Sequence, residues 1–229
     1  METPATVWRR RAGIAAIIVL SLVVAFYAAR RVITGVDRFA IEQTRPVASR
    51  VDGMLYRVHE GHPGPGRAAD ALATINQNSI GVMRYLRDRY VRGADGEAFP
   101  ARRQATERLL ARYNPDNLAE NSPRDPSGDT SYVMDKGAII ALCLRPRGPG
   151  APIHDMSMLM FVALHEMAHV AIDQVEHPEV FWRTFRFLLE SAEEAGVYAS
   201  PDFTAHPRSY CGIPVDYNPR FDPGVVAVV

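Results

Sequence analysis

The chain has 229 residues, enough for one folded domain with an appended segment, and its 47% hydrophobic content excludes a largely disordered protein. The net charge is zero, but residues 1–66 carry four excess positive charges and residues 67–229 four excess negative charges. An acidic body argues against non-specific nucleic-acid binding. Two cysteines, Cys143 and Cys211, are too few for a disulfide framework, and either one bridge or two free thiols fits the sequence.

The first predicted element is an uncharged apolar segment over residues 12–29. A helix of that length spans about 27 Å, close to the ~30 Å hydrocarbon core of a bilayer. A cleaved signal peptide is the alternative, but its apolar stretch is roughly 7–15 residues long and ends in small residues. Here the stretch runs into Arg30 and Arg31. We therefore predict an N-terminal transmembrane anchor with basic flanks over residues 1–31.

Residues 32–66 are polar, lack periodicity and end in a run rich in glycine and proline, which predicts a stalk or linker. The folded domain is expected to cover residues 67–229. It opens with two segments in which apolar residues recur at helical spacing, and these predict helices over about 68–92 and 101–113.

Residues 114–131 are predicted to be a loop, because proline, asparagine and serine recur there. The apolar run at 138–144 is typical of a buried strand, and residues 131–134 are a candidate partner strand. A helix capped by Asp155 or Ser157 is expected to run to about residue 175, and another to cover about 178–195. The remaining tail is predicted to be irregular.

The chemistry-bearing motif is His165-Glu166-Met167-Ala168-His169, on the first of these last two helices. Spacing of four residues places both imidazoles on one helix face, where two neutral rings can bind one zinc ion. Glu166 then projects beside the metal, where it can accept a proton from water and pass it to a leaving amine. The alternative is a helix that carries two unrelated histidines.

A catalytic zinc site needs a third protein ligand and an open fourth position. Asp173 shares the helix face, but a straight helix places it about 12 Å along the axis from His165. His177 follows the predicted helix end, where the chain can turn back, and we favour it as the third ligand. The rival candidates are acids on the following helix, at Glu190, Glu193 and Glu194.

Three further side chains are weaker candidates. His154 could act near the site, although a loop histidine is the simpler interpretation. Tyr210 or Tyr217 could donate a hydrogen bond to a developing oxyanion. The aromatic residues Phe181 and Trp182 are expected to pack the second helix against the metal helix rather than line a substrate pocket.

The run from His165 to His169, a seven-residue spacer, His177 and then Pro-Glu-Val-Phe-Trp resembles the pattern of the WLM, SprT and YgjP-type zinc peptidases. The likeness is closest to the WLM-like metallopeptidases of large nucleocytoplasmic DNA viruses and covers roughly residues 70–215. It implies a minimal zincin, with helices packed on a small sheet, Zn²⁺ held by the three histidines and Glu166 as the base. The spacer before His177 is longer than in YgjP-type sequences.

The sequence thus predicts an α+β protein, a minimal zincin-like domain preceded by one transmembrane helix. We expect a membrane-anchored zinc metallopeptidase that cleaves proteins or peptides, contacts a membrane through residues 12–29 and binds no specific nucleic acid. Two alternatives stay open. A catalytically inactive membrane or virion protein stabilised by zinc predicts four protein ligands. A DNA-associated, crosslink-type protease predicts a basic face near the site.

Overall fold

The computed structural model describes residues 43–121, 130–146 and 150–229. They belong to one compact unit, Gln43–Val229. The predicted membrane anchor at residues 12–29 lies outside these described residues. Among the helices that are described, none combines the length and the apolar character needed to cross a membrane.

The described residues form seven β-strands. They are β1 Thr44–Ala48, β2 Leu55–His59, β3 Leu118–Glu120, β4 Tyr132–Met134, β5 Ile139–Leu142, β6 Arg208–Tyr210 and β7 Ile213–Val215. A five-stranded mixed sheet with strand order β1-β2-β3-β5-β4 forms one layer. Strand β1 pairs antiparallel with β2, β2 and β5 each pair in parallel with β3, and β4 pairs antiparallel with β5. A separate hairpin of β6 and β7 lies near the C-terminus.

Five of these strands differ from the sequence prediction, and two of them, β6 and β7, form a hairpin inside the tail that we predicted to be irregular. Strands β1 and β2 lie inside the segment 32–66 that we predicted as a stalk, so the folded domain begins at Gln43 rather than at residue 67. The physical reason is alternation along β2, where Tyr56 and Val58 are buried and their neighbours are more exposed. Strand β3 lies inside the predicted loop and is buried at all three positions.

The predicted helices are present, and each begins within a few residues of its predicted start. The α-helices of the described residues are α1 Pro65–Leu86, α2 Asp95–Ala98, α3 Pro100–Arg112, α4 Met156–Ala171 and α5 Glu179–Glu194. A π-helical turn at Arg87–Val91 extends α1. Proline occupies the first turn of α1 and of α3, where its missing N–H leaves no hydrogen bond unmade.

Helix α4 lies at the centre of the core. It contacts strands β4 and β5 and also helices α1, α3 and α5. Nearly all of its side chains from Met158 to Ala171 are buried, which is typical of a helix surrounded by protein. The predicted α+β class, with helices packed on a small sheet, is therefore confirmed for the described residues.

Candidate metal centre

The first two imidazoles of the candidate site share one face of α4. The Asp155 carboxylate caps this helix by accepting a hydrogen bond from the Met158 N–H at 3.1 Å, as expected for an N-cap. One turn separates His165 from His169, and their ring centroids lie 5.0 Å apart. Most of the helix is buried, so this pair has a fixed orientation.

The third imidazole reaches the pair through a tight turn after α4. Arg112 of α3 donates to the carbonyls of Val170 and Ile172, each at 3.1 Å, and so satisfies orphan acceptors at the helix end. Lys136 donates to the Gln174 carbonyl at 2.6 Å. Glu176 adopts a left-handed conformation with φ of 63°, which reverses the chain just before His177.

The three rings converge on one point. The Nε2 atoms of His177 and His165 lie 3.1 Å apart, and one ligand atom from each of the three residues lies within 4.8 Å of the others. Two nitrogens on one tetrahedral zinc ion are separated by about 3.3 Å, given Zn–N bonds of about 2.0–2.1 Å. His165, His169 and His177 therefore form the one His, Cys, Asp and Glu group among the described residues with spacing suited to a metal.

Phe181, on the first turn of α5, packs against all three imidazoles. Its ring centroid lies 4.8 Å from that of His165, 4.3 Å from that of His169 and 4.5 Å from that of His177. Its side chain is fully buried. Pro178 is the N-cap residue of this helix and directly follows His177. Phe181 thus forms an apolar base that orients the three rings.

The environment keeps these imidazoles neutral. Burial, and then the neighbouring His169 and His177, lower the pKa of His165 to about 3. Burial, and then His177 and Lys136, lower the pKa of His169 to about 4. Partial burial also lowers the pKa of His177. A neutral imidazole offers a lone pair to a metal, so all three side chains are ready to act as ligands at neutral pH.

Glu166 lies beside the histidine cluster and is 4% exposed. Its side chain lines both of the cavities that flank the cluster. Its negative charge also acts on the Tyr210 phenol, whose pKa is raised mainly by burial. A carboxylate in this position can exchange protons with a reacting group held next to the three imidazoles.

Two cavities share His165, Glu166, His177 and Ser131. We call the first, of about 510 Å³, the aromatic cavity, and its walls include Phe161, Val162, Trp182, Phe185, Ile213 and Tyr217. We call the second, of about 530 Å³, the polar cavity, and its walls include Val133, Asp135, Lys136, Gln174, Val175 and Glu176. The histidine cluster therefore borders a cavity on each of two sides.

The rival acidic ligands are held elsewhere by arginines. Asp173 forms ion pairs with Arg108 at 2.6 Å and Arg112 at 2.5 Å. On α5, each of the three candidate acids lies beside an arginine. These pairs are Glu190 with Arg186, Glu193 with Arg220 and Glu194 with Arg89. The structure accordingly groups none of these four acids with the three histidines.

The tyrosine candidates differ in their surroundings. The Tyr217 hydroxyl donates to Asp222 at 2.8 Å, and burial followed by this contact raises its pKa to about 12. The Tyr210 hydroxyl lies 2.7 Å from Ser131 Oγ, and both residues line the aromatic cavity next to Glu166. His154 packs against the Tyr210 ring with centroids 5.1 Å apart and lines neither cavity.

Several residues that line the cavities were not predicted from the sequence as part of the site. Trp182, interpreted as a packing residue, lines the aromatic cavity together with Phe185, and Ser131, which directly precedes β4, borders both cavities. No spacing rule links Ser131 to the motif helix. Cys143 and Cys211, whose pairing the sequence left open, form a disulfide between the end of β5 and the β6–β7 turn.

Comparisons with known proteins give two viral relatives. The chain is 34% identical over 170 residues to "Uncharacterized protein R325" of Acanthamoeba polyphaga mimivirus, a match that covers 74% of this chain and 81% of that protein. It is 38% identical over 72 residues to "Uncharacterized protein 136R" of Invertebrate iridescent virus 6, which covers 31% of this chain and 40% of that protein.

Both relatives are viral proteins, which supports the prediction that this chain is a viral protein. No protein-family model matches the chain. No solved structure matches it either. Because the similarity to the mimivirus protein covers most of both chains, this protein belongs to the same family as mimivirus protein R325.

Proposed function

We propose that this protein is a zinc-dependent metallopeptidase with a minimal zincin-like domain, related in its site to the WLM, SprT and YgjP-type peptidases. The observation that carries the proposal is the convergence of three imidazoles beside one buried carboxylate. His165, His169 and His177 meet next to Glu166, and cavities adjoin the group on two sides.

The donor set suits zinc. Neutral imidazoles bind zinc, copper, iron and nickel, and three protein ligands with an accessible fourth position are the usual arrangement of a catalytic zinc ion. Three histidine side chains supply the ligands, and the adjoining cavities leave room for water and substrate. A bound zinc ion would supply Lewis acidity and lower the pKa of water to about 7.

The residues around the histidine cluster would carry out proton transfer and stabilise the oxyanion. Glu166 accepts a proton from the attacking water and delivers it to the leaving amine. Its burial keeps bulk water away from that transfer. The Tyr210 hydroxyl lies 2.7 Å from Ser131 Oγ and lines the aromatic cavity, and it would donate a hydrogen bond to the developing oxyanion.

The position of strand β4 at the edge of the sheet favours a peptide as the substrate. Strand β4 is the outermost strand of the five-stranded sheet on the side next to β5. Val133, at its centre, lines the polar cavity beside the histidine cluster. Extended peptides bind to outer strands of sheets through main-chain hydrogen bonds, so a chain lying along β4 would pass the histidine cluster.

The two alternatives predict different surroundings. A zinc site that serves stability alone predicts a fourth protein ligand, whereas the grouped residues are three histidines. A DNA-associated protease predicts a basic face. Among the described residues, the charged side chains that line the two cavities are Lys136 and four acids, Asp135, Glu166, Glu176 and Asp216. These observations favour a peptidase acting on peptides without nucleic acid.

A membrane location is part of the proposal and rests on the sequence alone. The uncharged segment 12–29, with arginines on both sides, is the proposed single-pass anchor. It would tether the peptidase domain to a host or virion membrane.

Zinc content and proteolysis of the full-length chain test the proposal. We expect one zinc ion per chain in the wild type and in Glu166→Gln, with proteolysis of an unfolded protein substrate lost only in Glu166→Gln. His165→Ala should lose both, while His206→Ala, which changes an exposed histidine outside the site, should keep both. Zinc at full occupancy with no proteolysis by the wild type would refute the enzyme and favour a structural zinc site.

A further inference from the structure

The two cavities beside the histidine cluster differ in chemistry. The walls of the aromatic cavity are mostly aromatic rings and aliphatic groups from α4, α5 and the β6–β7 hairpin, and they also include Glu166 and Asp216. The polar cavity carries Asp135, Lys136 and Glu176. A substrate that passes the cluster would therefore meet a mostly apolar environment on one side and a more charged one on the other.

The aromatic cavity is large enough for a whole side chain. Its volume of about 510 Å³ falls within the roughly 300–1,000 Å³ of pockets that hold entire small molecules. Val162 lies three residues before His165 on α4, so both project from the same helix face. A side chain in this cavity would thus belong to a residue close to the bond under attack.

Packing between rings fixes the walls. Trp182 contacts the His177 ring at 5.6 Å and the Tyr217 ring at 5.4 Å between centroids. Phe161 and Phe185 pack together at 5.1 Å. The disulfide between Cys143 and Cys211 anchors the hairpin that carries the remaining wall. A cavity with rigid walls discriminates by size and polarity, because little reorganisation accompanies binding.

We propose that the aromatic cavity is a specificity subsite for one large apolar or aromatic side chain next to the cleaved bond. This inference rests on the proposed peptidase function of the histidine cluster. Acidic side chains are excluded from the subsite, because a carboxylate would lose its hydration against aromatic walls and would lie near Glu166 and Asp216. Small side chains bind weakly there, because they bury little apolar surface.

Binding can be measured without catalysis. The sequence contains two tryptophans, Trp8 and Trp182, so the full-length variant Trp8→Phe with Glu166→Gln reports through Trp182 fluorescence alone. The probes are the blocked peptides acetyl-Gly-Xaa-Gly-amide, with phenylalanine, leucine, alanine or glutamate as Xaa. The phenylalanine and leucine peptides should bind about 10-fold more tightly than the alanine peptide. The glutamate peptide should bind no better than the alanine peptide.

A matched pair of variants localises the preference. Ile213 is 46% exposed at the mouth of the aromatic cavity, and Leu55 is 64% exposed on β2 outside its lining. In the same background, Ile213→Phe should narrow the mouth and remove the preference for phenylalanine over alanine. Leu55→Phe should retain it. A preference that survives Ile213→Phe unchanged would place the apolar subsite elsewhere.

Mass spectrometry of the products from an unfolded protein, cleaved by the zinc-loaded wild type, completes the test. Cleaved bonds should carry phenylalanine, tyrosine, tryptophan, leucine or methionine at one fixed neighbouring position. Cleavage without such a position, together with equal binding of all four peptides, would overturn the subsite while leaving the peptidase intact. Selective peptide binding without any cleavage would instead refute the peptidase and leave the cavity as a binding site for apolar side chains.

Discussion

The two ligands on α4 and the third on the turn after it are held in different ways. His165 and His169 are set by the period of a single buried helix, so their separation needs no other part of the chain. His177 is exposed and depends on contacts from α3, from the β4–β5 turn and from α5. The pair is local structure, whereas the complete cluster is tertiary structure.

Replacing one histidine of the helical pair, or the histidine on the turn, should have the largest effects on zinc affinity. His177→Ala leaves the preformed helical pair and should weaken zinc binding by roughly 100-fold or more, while some binding to the pair persists. His169→Ala leaves two histidines on separate elements and should weaken binding further. Competition with a zinc-chelating dye measures both affinities. Equal affinities in the two variants would contradict the distinction between the helical pair and the third ligand on the turn.

Removal of the Phe181 ring, which packs against all three imidazoles, should have the next largest effect. Phe181→Ala should lower the free energy of unfolding by about 3–5 kcal/mol, through loss of a fully buried ring, and weaken zinc binding about 10-fold. Phe187→Ala is the matched control, because Phe187 is equally buried on the same helix but contacts Tyr90. It should lose similar stability and keep its zinc affinity. Chemical denaturation and dye competition separate these two effects.

Loss of the contacts that hold the turn after α4 should cause a smaller change in zinc affinity and stability. Arg112→Gln removes the donors to Val170 and Ile172 and the ion pair with Asp173, so His177 should become more mobile. We expect zinc affinity to fall up to 10-fold and stability by about 1–2 kcal/mol. Arg103→Gln, which removes an exposed pair with Glu107 on the same helix, should leave zinc affinity unchanged. A similar loss in both variants would indicate a general effect of charge.

In the metal-free protein, the same two helical histidines should make the free energy of unfolding depend on pH. Burial holds the pKa of His165 near 3 and that of His169 near 4 in the folded chain, whereas both ionise near pH 6.5 when unfolded. The unfolded state therefore binds more protons in this window. Stability should be greatest above pH 6.5 and fall as the pH drops toward 4, by at most about 1.4 kcal/mol per unit for each histidine.

Denaturation of the chelator-treated full-length chain at several pH values measures this slope. A variant with His165→Gln and His169→Gln should show a shallower slope over the same window, since glutamine does not titrate. Identical slopes in the two proteins would show that other groups account for the pH dependence.

Secondary-structure elements were predictable from the sequence where residues close in the chain determine them. The apolar run around Ile140 predicted β5, and the Asp155 cap with its apolar continuation predicted α4. The segment Leu118–Glu120 lacked such a pattern, because Glu120 is a charged residue whose partners come from distant parts of the chain. Its carboxylate accepts hydrogen bonds from the Arg145 guanidinium and from the His59 N–H, each at 2.9 Å. Strand β2 was missed because Leu55, at its start, is 64% exposed and blurs the alternation.

The sequence by itself determined the α+β class, the motif helix and the preference for His177 over the competing acids, because helical spacing, caps and chain turns act between near neighbours. Only the tertiary structure decided that Phe181 supports all three rings, that Tyr210 and Ser131 border the same space as Glu166, and that the cysteines pair. These contacts join residues far apart in the chain, and they depend on how the helices pack on the sheet rather than on any local pattern.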